Sequence, residues 1–345
     1  NITTEYLNSS SGNSGNGGAI DLNAGGNITT EYLNSSSDAG NGGDIKLNAG
    51  NAGGNITTEY LNSSSGDSGN GGAIDLNAGG NITTEYLNSR SDAGNGGAID
   101  LDAGENITTE YLNSSSGNSG NGGAIDLNAG GNITTEYLNS SSDAGNGGDI
   151  KLDAGGHLTT PLATGGGKNV SFSGTNVTIT NGDKQKYEKQ DGDADVKLSA
   201  TNDITVEDIE DNVLEFRSGR GKIEFRADMD QDGAGVVRMD DKNDTIKTNG
   251  RDLTITGAEL HLGNINTSSW NGNGGAIDLD AGGDIKTENL YSYSYSSSGN
   301  SGNGGAIDLD AGGNIETLSL NSYSFSVYGN SGNGGAIDLD AGGNI

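Results

Sequence analysis

The chain of 345 residues contains no cysteine and one proline, and aromatic residues make up only 5% of it. The lack of cysteine excludes a disulfide framework and a thiolate metal site. Hydrophobic residues reach only 30%, and no run approaches the roughly 18–20 apolar residues of a membrane-spanning helix. A compact globule with so little apolar volume would not offset the conformational entropy lost on folding. The composition therefore leaves two interpretations, a disordered low-complexity chain or a repetitive fold with a narrow core.

Basic residues are scarce too. Lys and Arg number 17 against 48 Asp and Glu, which gives a formal net charge of −31. Phosphate binding needs clustered Lys and Arg, so nucleic acid is not expected as a partner. An acidic surface favours solubility, cation binding and an extracellular setting. We therefore expect a secreted, extracellular or cell-surface protein that is not transmembrane.

One stretch recurs along the chain and is clearest at 332–345. Its Asn-Gly-Gly core occurs nine times, with the Asn at 16, 41, 70, 95, 121, 146, 273, 303 and 333. A run of period two follows each core, in which Ile20 and Leu22 share one parity and Asp21 has the other. A disordered chain has no reason to keep this parity in every copy. The pattern therefore favours a solenoid of short strands.

Each repeat also carries an earlier strand, which reads Asn-Ile-Thr-Thr-Glu-Tyr-Leu at 1–7. Ile2 and Leu7 stay apolar in every copy but have the wrong parity for one straight strand, which predicts a corner or bulge near Thr4 and Glu5. Three short strands in 25–30 residues make one turn of a parallel β-helix. We predict an all-β, right-handed parallel β-helix, or β-solenoid, with one turn per repeat and with columns of stacked Ile, Leu and Asn.

The repeats divide the chain into three predicted segments. Residues 1–156 hold six regular repeats. Residues 157–270 hold less regular turns with charged loops and contain 13 of the 17 Lys and Arg. Residues 271–345 return to the repeat, with longer Tyr/Ser-rich loops that are expected to form strands of their own. Apolar residues have helical spacing at 205–216, where a loop is the preferred interpretation over a short helix.

The Gly-Asn-Gly-Gly-Ala-Ile-Asp-Leu repeats resemble the long repeat regions of filamentous-haemagglutinin-like exoproteins of the two-partner secretion type, especially the large cyanobacterial ones. The middle segment is similar at 202–206, 227–235 and 248–257. The resemblance implies a right-handed parallel β-helix that is secreted and held at the cell surface or in a biofilm matrix. Because residues 1 and 345 both fall inside a repeat, we expect a segment of a longer repeat protein.

Asp228, Asp230 and Asp232 form the strongest candidate metal site. Carboxylates at alternate positions followed by Gly233 match the first half of a calcium-binding loop. The flanking helices and the distal Glu of the full motif are not evident. A Ca²⁺ site and a plain acidic turn between strands therefore both remain open.

A second candidate is a pair of stacked acidic columns in the last repeats. Their members occupy equivalent outward positions and are Asp278, Asp280, Asp308, Asp310, Asp338 and Asp340. Like charges stacked about 4.8 Å apart repel by roughly 1 kcal/mol per pair. Cations would relieve this repulsion, and so would salt. We predict weak, diffuse cation binding here rather than a specific site.

A tyrosine column is the third candidate. It comprises Tyr6, Tyr32, Tyr60, Tyr86, Tyr111 and Tyr137. It is either a stacking surface for glycans or a neighbouring fibre, or cross-strand packing that stabilises the solenoid. The two histidines, His157 and His261, belong to no recognisable catalytic constellation, so no enzyme is expected.

The main hypothesis from the sequence is a structural segment of a long secreted exoprotein that forms an extracellular surface fibre or matrix. Its partners would be neighbouring repeats, or copies of itself along or beside the fibre. The alternative is an adhesin that binds glycan or a cell surface through the Tyr-rich loops or the middle segment.

Overall fold

The computed structural model describes residues 1–50, 53–162, 169–180 and 193–345. Within these ranges the regular structure is all β, and parallel strands stack turn upon turn as a β-solenoid. The predicted fold class is thereby confirmed. No helix in these ranges is long and apolar enough to span a membrane. The chain forms two compact units, whose described residues are 1–174 and 175–345 within the same limits.

The first unit contains two sheets in its described residues, one built from the odd-numbered strands and one from the even-numbered strands. In chain order these are β1 (Ile2–Asn8), β2 (Ile20–Ala24), β3 (Ile28–Asn34), β4 (Ile45–Ala49), β5 (Ile56–Asn62), β6 (Ile74–Ala78), β7 (Ile82–Asn88), β8 (Ile99–Ala103), β9 (Ile107–Asn113), β10 (Ile125–Ala129), β11 (Ile133–Asn139), β12 (Ile150–Ala154), β13 (His157–Pro161) and β14 (Val170–Gly174). Identical residues pair across turns, as Ile2 does with Ile28.

A bulge lies in the middle of the longer strands of this unit. In β3 and β5, Thr30 pairs with Thr58 and Tyr32 with Tyr60, while Glu31 is skipped in the register. Thr30 is buried, but Glu31 and Tyr32 both face outward before the chain turns inward again. This phase change lets the Ile and Leu of one strand share the same core. The predicted bulge is confirmed, although the strand runs through it without a break.

Serine and asparagine columns hold the corners of the first unit. The third face is a column of single bridges between serines, from Ser11 to Ser142. The predicted Asn column is confirmed, with the backbone amide of each Asn as the donor. The amide of Asn41 donates to Oδ1 of Asn16 at 2.9 Å, and that of Asn70 donates to Oδ1 of Asn41 at 2.8 Å. Each turn thus accepts hydrogen bonds from the backbone amides of the next.

The second unit contains four parallel sheets in its described residues. Their strands are β15 (Asn176–Thr180), β16 (Val196–Ala200), β17 (Ile204–Val206), β18 (Val213–Glu215), β19 (Ile223–Arg226), β20 (Val236–Met239), β21 (Thr245–Lys247), β22 (Leu253–Gly257), β23 (Glu259–His261), β24 (Asn264–Asn266), β25 (Ser269–Trp270), β26 (Ile277–Ala281), β27 (Ile285–Lys286), β28 (Asn289–Tyr291), β29 (Ser294–Ser296), β30 (Ile307–Ala311), β31 (Ile315–Glu316), β32 (Ser319–Asn321), β33 (Ser324–Ser326) and β34 (Ile337–Ala341). The sheets are β15-β17-β20-β23-β27-β31, β16-β19-β22-β26-β30-β34, β18-β21-β24-β28-β32 and β25-β29-β33.

Two local predictions are confirmed in this unit. Residues 205–216 form no helix; they are the end of β17, a loop and the short strand β18, with Ile209 and Phe216 buried. The late Tyr/Ser-rich loops do form strands, β29 and β33. In β29 the serines point into the solenoid and the aromatic ring points outward, so the alternation of Ser and aromatic residues reflects a real strand period.

A buried arginine spans three turns of the second unit. Arg251 is only 1% exposed. Its Nε donates to the carbonyl of Gly221 at 2.8 Å, and one terminal nitrogen donates to the carbonyl of Ala194 at 2.5 Å. The guanidinium plane thereby ties main-chain groups of two earlier turns to its own.

Candidate functional surfaces

The six tyrosines of the first unit stack into a continuous column. The centroids of adjacent rings lie 5.1 Å apart at the Tyr6–Tyr32 pair and 4.2 Å apart at Tyr111–Tyr137, and no two adjacent planes differ by more than 10°. Tyr6 is 57% exposed, and the inner members are half-buried. Each ring covers the face of the next, so no gap between rings admits a sugar. The geometry therefore favours the packing interpretation of this column over glycan stacking.

The electrostatics of the tyrosine column agree with close packing. Burial raises the pKa of Tyr111 to about 12, and the neighbouring Tyr137 adds to the effect because two adjacent phenolates repel. Burial also raises the pKa of Tyr60 and Tyr86.

A second aromatic surface lies on the sheet β25-β29-β33, and we call it the aromatic patch: Trp270, Tyr295 and Phe325. Trp270 is 69% exposed and makes an edge-to-face contact with Tyr295, with centroids 4.6 Å apart and planes at 70°. A contact of this kind covers at most one face of the indole. A cleft of about 340 Å³ lies beside Trp270, and Arg217 and Asn249 are among its lining residues. An open aromatic face beside polar groups is what a sugar ring requires.

The structure brings Asp228, Asp230 and Asp232 together, with one carboxylate oxygen from each within 4.8 Å of the others. The loop closes on itself, because Asp228 accepts the amide of Gly233 at 3.2 Å and Asp232 accepts the amide of Ala234 at 3.0 Å. Asp230 and Asp232 are exposed. Turn hydrogen bonds thus already satisfy part of this cluster.

The acidic columns stack as the repeat predicted. Asp278 pairs with Asp308 and Asp308 with Asp338, and the same holds for Asp280, Asp310 and Asp340. Burial and the charge of Asp308 raise the pKa of Asp278. In the first unit, by contrast, two Lys residues interrupt the equivalent column and face Asp residues of adjacent turns, in the pairs Lys46–Asp75 at 4.0 Å and Lys151–Asp126 at 3.6 Å.

Sequence reasoning missed a third acidic cluster. Asp208, Asp241 and Asp244 also place one carboxylate oxygen each within 4.8 Å of one another. These residues belong to two different turns, so no local motif announces them. The available signal was their position: all three follow strands that stack on each other, β17 and β20.

His261 has an acidic partner, since its Nε2 lies 3.1 Å from Oε2 of Glu259. Both side chains are exposed.

No family model, no curated protein and no solved structure matches the chain. The resemblance to filamentous-haemagglutinin-like exoproteins therefore stays a prediction, as does the expectation that the chain is not an enzyme.

Proposed function

We propose that the chain is a structural segment of a secreted exoprotein that forms an extracellular surface fibre or matrix. The observation that carries the proposal is the stacking of identical side chains over successive turns in the core, at the Asn corners and in the tyrosine column. These contacts serve one purpose, which is to join a turn to its neighbours. Polar and apolar side chains alike make contacts between successive turns.

Such a fold suits a structural role because its stability is a sum of nearest-neighbour terms. Repeats are added without redesign of a central core, and length is gained at constant cross-section. The resemblance of the repeats to filamentous-haemagglutinin-like exoproteins supports the same role. The proposed partners are neighbouring repeats and copies of the chain along or beside a fibre.

Immunogold electron microscopy of producing cells tests this proposal, with an antibody raised against the Gly-Asn-Gly-Gly-Ala-Ile-Asp-Leu repeat. We expect label along continuous thin fibres or throughout an extracellular matrix. Label confined to contact points between cells would contradict the fibre, and label only inside cells would contradict secretion.

The aromatic patch favours an adhesin as the second candidate. Its open indole face and the adjoining polar cleft offer a glycan both stacking and hydrogen bonds. A glycan array probed with the chain tests this function, with Trp270→Ala as the variant. Tyr86→Ala is the matched control, because the faces of Tyr86 are already covered. Glycan binding that survives Trp270→Ala would exclude the patch as the receptor site.

A further inference from the structure

Two successive corners of the second unit converge on one small volume. Asp208 lies in the loop that follows β17, and Asp241 and Asp244 lie in the loop between β20 and β21. β17 and β20 pair in parallel, with Val206 opposite Met239. The two loops therefore leave the sheet side by side, which places the three carboxylates within 4.8 Å of one another.

Asp244 is the fixed centre of this group, and its residue is 0% exposed. Its Oδ2 accepts the amide of Ile209 at 3.0 Å. Its own amide donates to the carbonyl of Asp241 at 3.1 Å, and its carbonyl accepts the amide of Asn264 at 2.7 Å. The Ile209 amide thus orients the carboxylate, and the two backbone hydrogen bonds fix the main chain that carries it.

The other oxygen of this carboxylate has no partner. Oδ1 of Asp244 is buried, and no donor among the described residues reaches it. Leaving a buried carboxylate oxygen unsatisfied is costly, more so than for a neutral group. Such an oxygen is expected to meet a proton or a cation.

The surrounding charges do not supply that cation from the protein. In the described part of the chain, no Lys, Arg or His forms an ion pair with any of the three acids, and Lys242 pairs with Glu288 at 3.6 Å instead. Burial raises the pKa of the Asp244 carboxyl group, and the negative charges of Asp208 and Asp241 also raise it. A bound cation would offset these negative charges and lower that pKa.

We propose that Asp208, Asp241 and Asp244 bind a divalent cation of the calcium class between two successive turns. Ca²⁺ holds oxygen ligands at 2.3–2.6 Å, so two ligands on opposite sides of the ion are about 4.8 Å apart. Oxygens that lie within 4.8 Å of one another can share such a sphere. Asp208 is exposed, which leaves room for water among the remaining ligands. Oδ1 of Asp241 accepts the backbone and side-chain amides of Asn243 at 2.9 and 2.8 Å, much as the Asp228 cluster accepts amides of its own turn. The site differs from that cluster in the buried Oδ1 of Asp244, which no described donor reaches.

Isothermal titration of CaCl₂ into the chelator-treated full chain tests the site. We expect one saturable site above a shallow, diffuse background from the acidic columns. Asp244→Asn keeps the shape of the side chain and removes the charge, so the affinity of that site should fall at least about tenfold. Asp230→Asn is the matched control in the exposed cluster and should leave the isotherm unchanged.

Thermal unfolding supplies a second measurement. Without calcium, Asp244→Asn should unfold at the same temperature as the wild type or higher, because a buried charge is gone; with calcium, only the wild type and Asp230→Asn should gain stability. If Asp244→Asn does not fold, the exposed Asp208→Asn replaces it with the same expectation. The proposal is overturned by a wild-type isotherm that shows only the diffuse background, or by saturable binding that Asp230→Asn abolishes and Asp244→Asn retains.

Discussion

The first glycine of the Asn-Gly-Gly core makes the sharpest demand on the sequence. At Gly274 an added Cβ would lie 2.5 Å from the carbonyl oxygen of Ser292 and 2.9 Å from the amide nitrogen of Gly305. Those two atoms are hydrogen bonded to each other at 2.8 Å, within the turn that stacks on Gly274. Gly274→Ala would therefore place a methyl group against a hydrogen bond of the neighbouring turn. We expect it to destabilise the second unit.

The magnitude follows from the displacement required. Ordinary contact with a Cβ begins near 3.4 Å, so the neighbouring backbone must shift by about 0.9 Å, and the bond between Gly305 and Ser292 is lost. The lost bond and the buried groups it leaves unsatisfied cost about 2–4 kcal/mol. No backbone strain is added, because Gly274 does not have a left-handed φ.

Gly282 is the matched control, because it follows the last residue of β26 whereas Gly274 precedes the strand. An added Cβ there would meet only the carbonyl oxygen of Ala258, at 3.8 Å, and φ is not left-handed. Gly282→Ala should be neutral or stabilise by about 0.4–1 kcal/mol, because alanine restricts the unfolded chain. Guanidinium unfolding followed by circular dichroism measures the difference, and hydrogen exchange at the Gly305 amide localises it. Equal free energies of unfolding for the two variants would refute the reasoning.

Three further predictions concern the column and the core. Tyr86→Ala breaks two ring contacts and should cost about 1–3 kcal/mol, and Tyr6→Ala breaks one and should cost about half as much, as denaturant unfolding will measure. The pKa of Tyr111 is raised to about 12 in the folded chain, so this tyrosine ionises at lower pH in the unfolded chain. Its contribution to the free energy of unfolding should be full below pH 10 and fall between pH 10 and about 12. A phenolate absorbance titration with parallel unfolding curves checks this. Arg251→Ala should lower the free energy of unfolding by about 3–5 kcal/mol, because it removes inter-turn bonds and leaves a cavity.

Each of these three predictions has an outcome that would contradict it. Equal losses for Tyr86→Ala and Tyr6→Ala would show that ring stacking does not stabilise the column. A free energy of unfolding that stays constant from pH 9 to about 12 would contradict the sign derived from the raised pKa. Arg238→Ala removes an exposed arginine of the same unit and should change the free energy of unfolding by no more than about 0.5 kcal/mol. An equally small change for Arg251→Ala would show that Arg251 does not stabilise the core.

The fold was predictable because its determinants are local and repeated. The parity of Ile20 and Leu22 identifies the core face of one strand, and copies of the strand at 1–7 show which positions tolerate polar residues. The repeat copies within this one chain thus identify its core positions, as an alignment of related chains would. The bulge at Glu31 followed from the same parity, because the two core positions Ile28 and Leu33 are five positions apart.

The acidic cluster at Asp244 was not predictable in the same way. Asp208 and Asp244 lie 36 positions apart, and the strands β18, β20 and β21 beside them are too short and irregular to show a period. Nor did the sequence show that Arg251 would be buried, since an arginine in a charged segment is expected at the surface. Contacts that occur once in the chain leave no internal copy against which to compare them.

The Asn columns give the solenoid a direction. Oδ1 of Asn16 accepts from Asn41 in the next turn, that of Asn41 accepts from Asn70, and the same sense recurs from Asn303 to Asn333. A folded turn therefore presents Asn Oδ1 acceptors, already fixed in position, to the backbone amides of the turn that follows it along the chain. Partner residues lie only about 25–30 positions apart. A chain that emerges from its N-terminal side can thus fold against its own leading edge, each turn serving as the template for the next.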